Sequence, residues 1–274
     1  GGVNSTNSAA PYLADFALNY DTGKYVVTQY MSMPNTDPKK RSLVGGGDVW
    51  LLPLREPVID ANGLLHLGWW PGNEKLKGSA IPLAKTDFAM HAASGPTIVK
   101  WLEPTTGEFN HTEGIVFTGR FTASGTASVG FAFGRTPDPT TTVILMDIVQ
   151  DAANDSGNGN GNGKTVIGDI NSDVFKLRDV SGAFECGSDG TVCNDATLTY
   201  ITPVQPHDFI LLVRAGIFEL YVDGLLVQTF TYGKYPVSIG QVGVAINGTT
   251  GIVTFHTLAA AAWSQRERSL LNFV

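Results

Sequence analysis

Runs of alternating apolar and polar residues dominate this chain. They recur at Tyr25–Met31, Gly114–Phe121, Thr126–Phe133, Thr142–Val149, Phe209–Arg214, Phe218–Val222, Leu225–Thr231, Val242–Ile246 and Ile252–His256. All are rich in Val, Ile, Phe, Tyr and Thr, and turn residues bound them. A period of two places alternate side chains on opposite faces, so each run predicts a strand with one buried face. Asp223-Gly224, between two such runs, predicts a tight hairpin of type I′. Many short strands at close spacing predict an all-β two-sheet sandwich. Only Leu258 to Leu271 carries a helical signal, with Ala259–Ala262 followed by Gln265-Arg266-Glu267-Arg268, so a short C-terminal helix is expected.

The runs divide the chain unequally. Residues 1–75 hold a few strands that do not close on themselves. Residues 76–95 mix Pro, Gly and Lys and read as a linker. Residues 96–274 hold enough strands for a complete sandwich. Residues 34–47 predict a long polar loop. The Asn-Gly repeat of residues 158–163 predicts a loop tip.

Composition narrows the function classes. The chain has 274 residues, 43% of them hydrophobic, enough to bury a full core. Charged residues reach only 16%, and the net charge is -7. An acidic, charge-poor chain neutralises few phosphates, which argues against a nucleic-acid partner. No window approaches about 18 uninterrupted apolar residues, so no helical membrane span is expected. The chain opens Gly1-Gly2-Val3 without a charged-then-apolar leader, so a signal peptide, if there was one, is expected to have been removed. Four Asn-x-Ser/Thr sequons stand at Asn4, Asn110, Asn154 and Asn247. The two cysteines, Cys186 and Cys193, flank a Ser-Asp-Gly turn signal. That spacing suits a hairpin closed by a disulfide. A reduced pair is the alternative, and a metal site would need further ligands nearby. Sequons and disulfide together point to a secreted, extracellular glycoprotein.

Candidate chemistry is sparse. There is no Gly-x-Ser-x-Gly, no His-Glu-x-x-His and no phosphate-binding glycine loop, so no cofactor or metal is expected. His256 alternates with core-type residues and reads as structural. Asn158 to Asp169 aligns only loosely with a calcium loop, because its first ligand is Asn and its twelfth is the short Asp. Glu219 and Asp223 lie four apart, as a glycosidase carboxylate pair could. The hairpin explains Asp223 better, and a solvent-facing position explains Glu219. Aromatic faces can stack on sugar rings, and Trp69, Trp70 and Tyr221 are the carbohydrate-binding candidates. Packing is the competing reading for both tryptophans.

Two segments carry a family resemblance. Trp50, Leu52-Pro53, Arg55, Asn62-Gly63-Leu64 and Glu74-Lys75-Leu76-Lys77 follow one another in the order of the last propeller blade of invertase-like enzymes of glycoside hydrolase family 32. Phe218-Glu219-Leu220-Tyr221-Val222-Asp223-Gly224 is similar to the strand and hairpin near the end of that family's β-sandwich, and to laminin-G/concanavalin-like and lectin sandwiches generally. The resemblance implies the C-terminal portion of such a protein, with last-blade strands in residues 1–75. It implies an oligo- or polysaccharide partner, and either a separate N-terminal propeller chain or a homo-oligomer. Family catalysis sits on the upstream propeller, in a Trp-Met-Asn-Asp-Pro-Asn-Gly-like motif, an Arg-Asp-Pro and a Glu-Cys. The first two are missing here. Glu185-Cys186 falls inside the sandwich half and reads as coincidence. No catalytic residue is therefore assigned. The rival readings are a stand-alone carbohydrate-binding lectin-like sandwich and a small intact glycoside hydrolase using Glu185, Glu219 or Asp223.

Overall fold

The computed structural model describes residues 11–20, 22–32, 49–59, 63, 65–93, 97–111, 113–125, 127–134, 141–146, 165–171, 174–177, 201, 203–214, 217–231 and 239–263. Within them the chain forms strands β1 (Pro11–Asn19), β2 (Lys24–Ser32), β3 (Val49–Leu51), β4 (Arg55–Ile59), β5 (Leu65–Trp69), β6 (Lys77–Ile81), β7 (Phe88–His91), β8 (Ile98–Trp101), β9 (Phe109–Asn110) and β10 (Ile115–Gly125). They continue as β11 (Ser128–Gly134), β12 (Thr141–Met146), β13 (Thr165–Asn171), β14 (Val174–Leu177), β15 (Pro206–Arg214), β16 (Ile217–Val222), β17 (Leu225–Thr231), β18 (Ile239–Asn247) and β19 (Gly251–Trp263). One 3₁₀ helix, Pro71–Leu76, lies between β5 and β6.

Two sheets result, and every recorded pairing is antiparallel. The large one runs β1-β2-β4-β5-β17-β16-β15-β10-β19-β6, with β3 on β2 and β7 on β19. The small one runs β14-β13-β12-β11-β18-β8, with β9 on β18. Alternation decides what lies between them. Ile115, Phe117, Phe121 and Ala123 of β10, Phe209, Leu211 and Val213 of β15, and Val129, Phe131 and Phe133 of β11 form one buried cluster. Aromatic pairs bridge the sheets. Phe131 meets Phe209 at 4.7 Å between ring centres, and Phe133 stacks on Phe218 at 5.1 Å. Such contacts add to the area term that drives sheet packing.

The predicted hairpin is present between β16 and β17. Asp223 and Gly224 both have positive φ, 51° and 79°, the conformation a type I′ turn requires. Gly224→Ala should therefore cost about 1 kcal/mol, since a Cβ is strained there even with open space around it. A urea titration reads that loss. An unchanged midpoint would mean the turn carries no backbone constraint.

The N-terminal strands extend the large sheet. β5 joins β17 through Leu225 opposite Gly68, and the Trp69 N–H donates to the Gly224 carbonyl at 2.8 Å. Close approach needs glycine at 68, where a Cβ would lie 2.9 Å from Val58 Cγ2 and 3.2 Å from the Gly224 oxygen.

Two expectations are corrected. Residues 76–95, read as a linker, contain β6 and β7, both hydrogen-bonded to β19. Phe88 and Met90 are buried, so a short alternating run hides among the prolines and lysines. Over Leu258–Trp263 the expected helix is instead the end of β19. Ala259 to Ala262 sit opposite Thr118 to Ile115, and Leu258 and Ala260 enter the core. Tertiary pairing overrides alanine's intrinsic preference, which is worth only tenths of a kcal/mol per residue. Residues 264–274, the sequons Asn4 and Asn154, Glu185, Cys186, Cys193 and the loop from Asn158 to Asn162 lie outside the described residues.

Candidate functional site

The outer face of the large sheet carries the polar chemistry. Across β10, β15 and β16 its side chains form three rows. The first is Val116, Leu212 and Glu219, and the second is Thr118, Ile210 and Tyr221. The third is Arg120 and Asp208, continued by Asp223, whose N–H donates to the Asp208 carbonyl at 2.8 Å.

The N-terminal segment covers the first row and the Tyr221 end of the second. Trp69 and Leu76 pack on Val116, Leu212 and Trp263. The 3₁₀ helix carrying Leu76 is tied down by Asn73, whose Nδ2 donates to the Leu54 carbonyl at 2.7 Å. Arg55, from β4, reaches across to β16 and β17. Its Nη2 donates to Glu219 Oε1 and, at 3.0 Å, to Thr229 Oγ1, and its Nε donates to Tyr221 Oη at 3.3 Å. Tyr221 Oη in turn donates to Glu219 Oε2 at 2.9 Å. All three side chains are buried. Burial opposes the Arg55 charge, but Glu219 and Tyr221 outweigh it and hold the guanidinium pKa above its ordinary value. Burial, aided by the Glu219 charge, pushes the Tyr221 hydroxyl well above the usual tyrosine range, so it stays a donor.

This arrangement settles several candidates. Glu219, expected on a solvent face, is fully buried and holds Arg55. The alternation was right, but a strand distant in sequence covers that face. A carboxylate held there by Arg55 and Tyr221 has no access to substrate, so the Glu219–Asp223 pair does not form a hydrolytic centre. Tyr221 also presents no face to a sugar; it meets Trp69 edge-on at 5.1 Å. Trp69 is half-buried and donates its Nε1–H to Glu74. Trp70 is half-buried with its ring over Gly72. Asp223 serves the hairpin, accepting the Asp208 N–H at 3.0 Å and pairing with His207 Nδ1 at 2.7 Å. His256 is half-buried, 3.8 Å from Asp87. Asn110 is exposed and its Oδ1 accepts the Glu113 N–H, while Asn247 Nδ2 donates to Thr97.

The third row is left uncovered. Arg120 Nε and Nη2 donate to Asp208 Oδ1 and Oδ2 at 2.7 and 2.9 Å, with side-chain exposures of 51% and 62%. The hydrogen bonds from Arg120, and its charge, hold the Asp208 carboxyl below the usual carboxylate range. Above this pair lies a groove of about 420 Å³ lined by Lys77, Thr118, Arg120, Asp208, Ile210 and Thr257. Sequence reasoning missed it, because Arg120 and Asp208 are 88 positions apart and neither sits in a motif.

No family model matches the sequence, and no curated protein matches it. Solved structures do resemble it in fold. The sucrose-6-phosphate hydrolase of Lactobacillus gasseri aligns with 93% of this chain at 13% identity and a TM-score of 0.50. A glycoside hydrolase family 32 β-fructofuranosidase of Bombyx mori aligns with 93% at 11% identity and a TM-score of 0.47. The fructan 1-exohydrolase IIa of Cichorium intybus aligns with 94% at 9% identity and a TM-score of 0.40. The chain spans 41%, 40% and 49% of those proteins respectively. The likeness to the Lactobacillus enzyme is one of fold, over part of that enzyme, and it agrees with the resemblance read from residues 48–78 and 218–224.

Proposed function

We propose that this chain is the non-catalytic C-terminal part of a secreted, invertase-like glycosidase acting on fructosyl or related bonds. Its catalytic propeller would lie outside these residues, on the same polypeptide or on a partner. One observation carries the reading. Large apolar side chains stand exposed on the N-terminal strands: Phe16 at 54%, Leu18 at 40%, Tyr20 at 90%, Tyr25 at 57%, Ile59 at 71% and Leu65 at 59%. Leu18 faces Tyr25 across β1 and β2, and Ile59 faces Leu65 across β4 and β5. Clustered apolar exposure of this kind marks a surface built to be covered. Further strands of a propeller are an occupant of matching chemistry. The likeness to part of a hydrolase supports the same reading.

Native and denaturing mass spectra of the protein from its natural source test this. The expected result is a native mass above 29.2 kDa. It should resolve into a heavier chain, or a longer polypeptide containing this sequence, that hydrolyses sucrose. The isolated 274-residue chain should not hydrolyse it. Leu18→Lys with Tyr25→Glu should abolish association with a separate propeller chain. A native species of the single chain alone, or turnover by the isolated chain, overturns the proposal.

A further inference from the structure

The uncovered third row differs chemically from the rows beside it. Arg120 and Asp208 form a two-point ion pair, so the guanidinium is fixed in position and direction. That pairing uses two of arginine's five N–H donors, and each carboxylate oxygen keeps a further lone pair. Donors and acceptors thus stand side by side at fixed spacing. The lining charges nearly cancel, because Arg120 is neutralised by Asp208, and Lys77 by Glu74 at 2.6 Å. An anion would meet no surplus of positive charge here. Threonines 118 and 257 supply hydroxyls, while Ile210 supplies an apolar patch continuous with the Trp69 and Leu76 cover. One wall is held in an unusual backbone. β10 and β19 slip register between Thr118 and Arg120, and Thr257 has φ 50°. That conformation is rare for a β-branched residue. The Asp87 carboxylate accepts the Thr257 N–H at 3.2 Å and fixes it. Strain retained in a fold clusters at ligand sites.

We propose that the groove above Arg120 and Asp208 binds an uncharged saccharide, with vicinal hydroxyls bridging the guanidinium and the carboxylate and a ring face against Ile210. The groove is shallow and open, so a ring would lie along it with one face toward solvent. The site is separate from the apolar band, since β5 and β15, their nearest strands, are three places apart in the sheet order. It requires no propeller, so it stands or falls independently of the assembly proposed above.

Isothermal titration of the 274-residue chain with sucrose, 1-kestose, cellotriose, maltotriose and trigalacturonate tests this. At least one of the four neutral sugars should bind. Arg120→Gln and Asp208→Asn should each weaken that binding by about tenfold or more, the scale of one lost charge-assisted hydrogen bond. Both side chains are exposed, so thermal midpoints should not move. Leu18→Lys should leave binding intact. If no neutral sugar binds, if either groove variant binds like the wild type, or if trigalacturonate binds best, the inference is wrong.

Discussion

Arg55→Ala should destabilise the protein by about 3–5 kcal/mol, the usual consequence of removing one partner from a buried ion pair. The substitution leaves the Glu219 carboxylate enclosed, still accepting from Tyr221 but without its charge partner. It also removes the donor to Thr229 and the side chain that bridges β4 to β16 and β17. Against a typical total of about 5–15 kcal/mol, that is a large fraction. Replacing both partners should behave differently. Arg55→Met with Glu219→Leu removes the two charges and fills much of the same space, which is often neutral or stabilising for buried pairs. Urea midpoints of the wild type, Arg55→Met, Glu219→Leu and the double variant close the cycle, with Arg55→Ala measured beside them. If Arg55→Ala falls within about 1 kcal/mol of the wild type, the pair does not hold the N-terminal strands to the sandwich.

The comparison between sequence and structure turns on what is local. Phe218 to Gly224 contains a period-two run and a two-residue turn, so its strand, its hairpin and the shared face of Glu219 and Tyr221 were all readable. What covers that face was not, because Arg55 lies 164 positions away. Nothing near Glu219 announces a buried partner, and an isolated acid in a strand defaults to solvent. The Arg120–Asp208 groove was hidden for the same reason. Ala259–Ala262 failed differently. Alanine favours helix only weakly, and pairing along β10 from Ile115 to Thr118 decided the outcome. β6 and β7 are short and interrupted by Pro82; their strand character comes from pairing with β19. The motif order from Trp50 to Lys77 was informative because several of its residues build the junction itself. Arg55 binds the sandwich, Glu74 receives Trp69, and Leu76 packs on the outer face.

Acid should weaken the fold well above the range where carboxylates titrate, and His111 is the reason. Its imidazole is fully buried, and its ring lies against Gly240, where a Cβ would come within 2.6 Å of Cε1. Burial lowers its pKa from 6.5 to about 4. Between those values the unfolded chain takes up a proton that the folded chain refuses. The stability His111 contributes is therefore complete above about pH 6.5 and is lost as pH falls toward 4. The difference corresponds to about 3 kcal/mol, at 1.36 kcal/mol per unit. Asp87 and Asp208 have lowered pKa values as well, from a normal value of 3.8. Both carboxylates are exposed and screened by solvent, so His111 dominates this interval. Stability measured by urea unfolding from pH 7 to pH 4 should fall in the wild type. His111→Gln cannot take up that proton, so its curve should be flatter over the same interval by about the same amount. A slope unchanged in His111→Gln would place the acid sensitivity elsewhere.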